Sequence, residues 1–105
     1  MTSITLFRRH GLIVRVEAEG HSGYADEGSD IVCAAVTASF RLMSAQLDAA
    51  GLSQKVRQDA RRAYLSIEAE GAAAGHIFAG FGALAYELSE EYPENISVTE
   101  VEQNA

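Results

Sequence analysis

The stretch "GHSGYADEGSDIVCAA", residues 20–35, holds the chain's one cysteine, Cys33, and one of its three histidines, His21. A thiolate is a nucleophile and an imidazole is the base that generates it. His21 stands twelve positions before Cys33, and a loop that leaves a strand and returns into a helix can bring two such ends together. Cys33 lies three residues after Asp30, a residue type that caps helix N-termini. Backbone N–H groups and the positive end of the helix dipole then favour the thiolate. The same N–H groups are expected to receive the oxyanion of a tetrahedral intermediate. A small buried cysteine and a merely polar histidine have this spacing too, so the residues alone leave both readings open.

Asp30 also has two readings, as a helix cap or as a carboxylate that orients His21. Thr37, one turn after Cys33, can hydrogen-bond near the sulfur or back to its own helix. Ser22, Gly23, Tyr24, Asp26, Glu27 and Gly28 form a loop that either covers a bound peptide or is simply solvated. His10 and His76 have no visible partner and are assigned no role. A lone cysteine makes no internal disulfide, and a Cys/His metal set lacks its other members. No metal and no cofactor are expected.

Two short strands precede this loop, "SITLFRR" and "LIVRVEAEG" around the turn "HG", with the period-two alternation of half-buried strands. After Asp30, Val32, Val36, Phe40, Met43, Leu47 and Ala50 recur at helical spacing up to Gly51. "SQKVRQDARR" has no apolar stripe and reads as a connection with a short helical turn at most. "AYLSIEAE" is a third strand. From about Ala72 to Glu91, Ile77, Phe81, Leu84 and Leu88 form a second helical stripe that Pro93 ends. Gly75, Ala79 and Gly82 make a small-residue stripe away from it, where another helix or a second subunit can approach. "ISVTEVE" is the last strand. The order is ββαβαβ, an α+β layer with two helices on one face of a four-stranded sheet.

At 105 residues the chain is expected to be a single domain, 1–105, with 48% apolar and 22% charged residues, close to globular averages. A net charge of −7 works against nucleic acid, whose phosphates need a basic footprint, and suits a basic partner. No apolar run approaches the roughly 18 residues of a spanning helix, so no membrane partner is expected. The N-terminus has no charged segment followed by an apolar block, and the expected location is the cytoplasm.

The run "GHSGYADEGSDIVCAAVTA" resembles the signature of the bacterial ribosomal-processing cysteine protease family. That signature is Gly-His, a short glycine-bearing loop, then Gly-x-Asp-Ile-Val-Cys-Ala-Ala and Val-Ser. The resemblance implies an endopeptidase that removes a short N-terminal extension from the precursor of large-subunit ribosomal protein number twenty-seven. The cut would follow a pair of aromatic residues and precede a basic segment. It implies His21 and Cys33 as the catalytic dyad, Asp30 as a supporting residue and Gly20 as a point of close backbone passage. It also implies a homodimer. The sequence departs from the pattern at Ser22, where the family mostly has a small apolar residue, and at Thr37, where it usually has serine. Asp26 and Glu27 would meet the basic residues after the cut. Two other classes remain: a non-catalytic module that binds a ribosomal protein, with Cys33 buried and inert, and a thiol-dependent transferase or amidase.

Overall fold

The computed structural model describes residues 1–26 and 30–103. Strands β1 (Thr2–Arg9) and β2 (Leu12–Glu19) form a hairpin. Its turn residues, His10 and Gly11, both have positive φ, 53° and 82°, the geometry whose twist matches paired strands. Helix α1 (Ile31–Ala49) follows the loop. Gly51, at φ +72°, ends it. Its N–H bonds to the Asp48 carbonyl at 3.0 Å and that of Leu52 to the Leu47 carbonyl at 2.9 Å, the paired closure of a glycine-terminated helix. Strand β3 (Lys55–Asp59), a short 3-10 turn (Ala60–Arg62), β4 (Tyr64–Glu68), α2 (Ala72–Glu91) and β5 (Ile96–Glu102) complete the chain.

The sheet has five strands in the order β3-β4-β2-β1-β5, with β1 and β5 parallel and the other pairs antiparallel. This corrects the expected four strands and the ββαβαβ order, because the segment read as a connection contains β3. That strand lies at the sheet edge, and four of its five residues are exposed. No buried face exists there to impose alternation, and Lys55 and Arg57 are the charges that edge strands carry.

Cross-strand register places Ile4, Leu6, Val16, Ala18 and Ile67 on one sheet face. They form a single apolar cluster with Val32, Val36, Phe40, Met43 and Leu47 of α1 and Phe78, Phe81 and Ala85 of α2. Phe40 and Phe81 meet edge to face, 5.1 Å between ring centroids, so the two helices contact each other as well as the sheet. The other sheet face is polar: the Arg15 guanidinium lies 3.8 Å over the Phe7 ring, and Arg62 pairs with Glu19 at 2.8 Å.

Helix α2 turns Phe78 and Phe81 inward together with small residues, and of the expected stripe Leu84 is left outside. Ala74, Gly75, Phe78, Phe81, Gly82 and Ala85 are buried, while Leu84 is exposed and Ile77 and Leu88 are half-buried. Gly75 and Gly82 face the sheet, not a free surface. A Cβ added at Gly75 would lie 3.1 Å from the Leu12 side chain, and one at Gly82 would lie 3.3 Å from Leu6. The small residues let the helix sit close to the hairpin, which offsets their helix-propensity cost of about 1 kcal/mol each.

Candidate active site

Strand β2 ends at Glu19, and the chain turns into the loop through Gly20 at φ +91°. The Gly20 N–H bonds to the carbonyls of Arg62 and Ala63, its carbonyl accepts from the Thr2 hydroxyl at 2.8 Å, and a Cβ there would stand 2.7 Å from the Met1 carbonyl oxygen. Only glycine fits so tight and left-handed a passage. The residue before His21 is thus clamped between the end of the 3-10 turn and the first residues of the chain.

Asp30 organises the other end of the loop. Its Oδ1 accepts the N–H groups of Val32 at 2.9 Å and Cys33 at 3.0 Å, capping α1. Its Oδ2 accepts the Ser22 hydroxyl and the N–H groups of Tyr24 at 3.2 Å and Ala25 at 3.4 Å. Five donors fill the roughly four lone-pair sites of a carboxylate. The capping reading of Asp30 therefore describes half of what it does, and the other half is to fold residues 22–25 onto the helix start. Burial alone would raise its pKa, but the hydrogen bonds from Ser22 and from the backbone of Cys33, Ala25 and Val32 prevail and lower it to about 2.

Capping also changes where an oxyanion can be held. The N–H groups of Val32 and Cys33 are occupied by Asp30, and that of Ala34 bonds to the Asp30 carbonyl at 3.0 Å. The first-turn donors assigned to the oxyanion from the sequence are thus engaged inside the protein. The Cys33 sulfur instead accepts a hydrogen bond from the Ser22 N–H, at 3.3 Å.

His21 and Cys33 both line a cavity of about 390 Å³ between β2, β4, α1 and the 3-10 turn. His21 is exposed at its rim and the thiol is half-buried. Gly20, Ala25, Asp30 and Thr37 also reach it, and Ala18, Val36, Ala63 and Leu65 give it apolar walls. A second groove, of about 470 Å³, is lined by Asp30, Cys33, Ala34, Thr37, Ala38 and Arg41. Cys33 thus lines both concavities, together with Asp30 and Thr37.

Of the other loop residues, Ser22 is buried at 1% exposure, whereas Gly23, Tyr24 and Asp26 are exposed. Glu27 and Gly28 lie outside the described residues. Tyr24 meets Tyr92, just beyond α2, edge to face at 5.4 Å. The Asn95 side-chain amide donates to the Ser22 carbonyl at 3.0 Å. Tyr92 and Asn95 carry no motif, and nothing short of the fold relates them to residues some seventy positions earlier. Among the described residues no cluster of His, Cys, Asp and Glu suits a metal ion, and no helix is long and apolar enough to cross a membrane.

A thiol at a helix start, sharing a cavity with a histidine on an α+β sheet, has the layout of a thiol-dependent hydrolase. The chain belongs to the family described as cysteine protease Prp, whose model matches residues 1–97, and it is accordingly a cysteine protease. Its fold is similar to the crystal structure of SMU.848 from Streptococcus mutans, with a TM-score of 0.85 and 25% identity over 98% of this chain and 99% of that one. It is also similar to the essential ribosomal processing protease Prp from S. aureus in complex with a covalently linked product peptide. There the TM-score is 0.87 and the identity 21%, over 95% of this chain and 99% of the other. The same protease in complex with a substrate peptide gives a TM-score of 0.82 at 20% identity, with the same coverage. A search of curated proteins finds none that matches.

Proposed function

We propose that the protein is an endopeptidase that removes the short N-terminal extension from the precursor of large-subunit ribosomal protein number twenty-seven, with Cys33 as nucleophile and His21 as its base. The observation that carries this reading is the one cavity that His21 and Cys33 both line. His21 takes the thiol proton, and the sulfur attacks the scissile carbonyl. The tetrahedral intermediate collapses as the same imidazole gives its proton to the departing amine, leaving a thioester. Water, deprotonated by His21, hydrolyses the thioester and restores the thiol.

The apolar walls of the cavity suit aromatic side chains before the cut. Exposed Asp26 and a net charge of −7 suit a basic segment after it, with Glu27 expected to add to the same field. Gly20 shapes the entry to His21, Asp30 builds the loop, and Thr37, on the lip of both concavities, meets the peptide beside the sulfur. Cytoplasmic location follows from a ribosomal substrate. A homodimer is supported by Ile31 and Leu42, 57% and 60% exposed, which lie eleven residues apart on one outer face of α1. Sedimentation of the wild type reads this directly, and a monomer throughout removes the dimer.

The test is mass spectrometry of the extended ribosomal protein after incubation with wild type and with Cys33→Ala. The expected result is one cut by the wild type alone, after the aromatic pair. A complex that forms with both and is cleaved by neither would instead make the protein a binding module. Turnover of small thiol-reactive esters without cleavage of the precursor would make it a transferase or amidase.

A further inference from the structure

We infer that Asn95 is a positioning residue for the nucleophile, acting through Ser22; the inference rests on the reading of Cys33 as nucleophile. Ser22 is 1% exposed, and each of its polar groups is engaged. Its hydroxyl donates to Asp30, its carbonyl accepts from Asn95 Nδ2 at 3.0 Å, and its N–H donates to Cys33 Sγ at 3.3 Å. The first two bonds fix the residue, and the third is what that fixation delivers to the sulfur. A backbone N–H donated to the sulfur orients it, and such a bond strengthens as negative charge forms on its acceptor. The donor cannot be replaced by the first-turn N–H groups of Val32 and Cys33, which Asp30 occupies.

Asn95 is itself held firmly enough to serve as an anchor. It lies in the turn between α2 and β5, where its N–H bonds to the Tyr92 carbonyl at 3.0 Å and its carbonyl accepts the Thr2 N–H at 2.8 Å. The Tyr24–Tyr92 ring contact, two residues beyond Ser22, ties the same turn to the same loop. The turn therefore forms a platform under the start of the loop, and Asn95 is its polar contact with Ser22. Without that amide the Ser22 carbonyl is left under-satisfied, and Ser22, with the His21–Ser22 peptide that carries its N–H, is anchored by its hydroxyl alone. The alignment of the N–H with the sulfur is then lost.

The experiment measures the rate of Cys33 alkylation by iodoacetamide across pH for wild type, Asn95→Ala and Asn95→Asp, each at a temperature where circular dichroism shows it folded. Asn95→Asp is nearly isosteric and removes the donor while keeping the turn, so it stands in if the alanine variant does not fold. The expected result is alkylation slowed about three- to tenfold near neutral pH in both variants, the effect of one hydrogen bond. Their rate profiles should also be displaced to higher pH. Profiles that coincide with an activated wild type, beside earlier melting, would show that Asn95 only stabilises the fold and would overturn the inference alone. A wild-type thiol that alkylates like an unstructured cysteine would overturn the nucleophile reading, and this inference with it.

Discussion

Replacing Asp30 by asparagine separates the two tasks its carboxylate performs. Asparagine caps helices as well as aspartate does, so its Oδ1 can keep the Val32 and Cys33 N–H groups. Its amide then replaces Oδ2, where the Tyr24 and Ala25 N–H groups already point, and donor faces donor. The size of the effect follows from the carboxyl's titration. Held at about 2 in the folded protein against an ordinary 3.8, the ionised form contributes on the order of 2 kcal/mol. Because the folded value is the lower one, that contribution is complete above pH 3.8 and disappears as pH falls through 2. Asp30 is only 6% exposed, so solvent screening takes little from it. Urea unfolding at pH 7 should find Asp30→Asn less stable by about 1–2 kcal/mol and Asp30→Ala by about 3 kcal/mol, since alanine loses the cap as well. Repeated at pH 2, the gap between wild type and Asp30→Asn should close to a few tenths of a kcal/mol. A gap that stayed the same at pH 2 would refute the reasoning, because the loss would then come from shape and not from charge.

Two further outcomes follow from the glycines. Gly20→Ala should cost about 2–3 kcal/mol and lower the thermal midpoint, since it combines positive φ with a Cβ 2.7 Å from the Met1 carbonyl oxygen; an unchanged midpoint would mean the passage is looser than described. Gly80, inside α2 with open space around its Cβ position, should gain about 0.5–1 kcal/mol on replacement by alanine. A loss of stability on urea unfolding would reveal a contact at that position that the single chain does not make.

The hairpin, α1 and α2 were legible because each carries its own local signal: His-Gly at a turn, Asp30 and Gly51 at the two ends of α1, Pro93 after α2. The placing of His21 and Cys33 on one cavity was legible for a related reason, since their spacing follows the chain. Strand β3 was not, because an edge strand exposed on both faces has no alternation to read. The stripe expected on α2 holds at Phe81 and at half-buried Ile77 and Leu88, which pack against the core, but it took in exposed Leu84 and left out Gly75 and Gly82, which close approach to the hairpin selects. The engagement of the first-turn N–H groups was missed as well. A capping aspartate and an oxyanion compete for the same donors, and only the three-dimensional arrangement decides between them. The contribution of Asn95 lay out of reach altogether, since an asparagine in a turn after a proline reads as turn chemistry and nothing more.

The parallel pairing of β1 with β5 bears on the order of events during synthesis. The strand made first has a partner made last, Thr2 opposite Ile96, and the turn bearing Asn95 arrives only just ahead of it. While the chain is still being made, the hairpin, the loop and α1 can gather, with His21 and Cys33 already translated. The Ser22 carbonyl then has no amide to hold it, and the sheet lacks its last edge. Such long-range closure is a late step in folding. A partly made chain therefore carries His21 and Cys33 before the turn bearing Asn95 can meet Ser22, and the contacts around the sulfur are complete only once β5 pairs with β1.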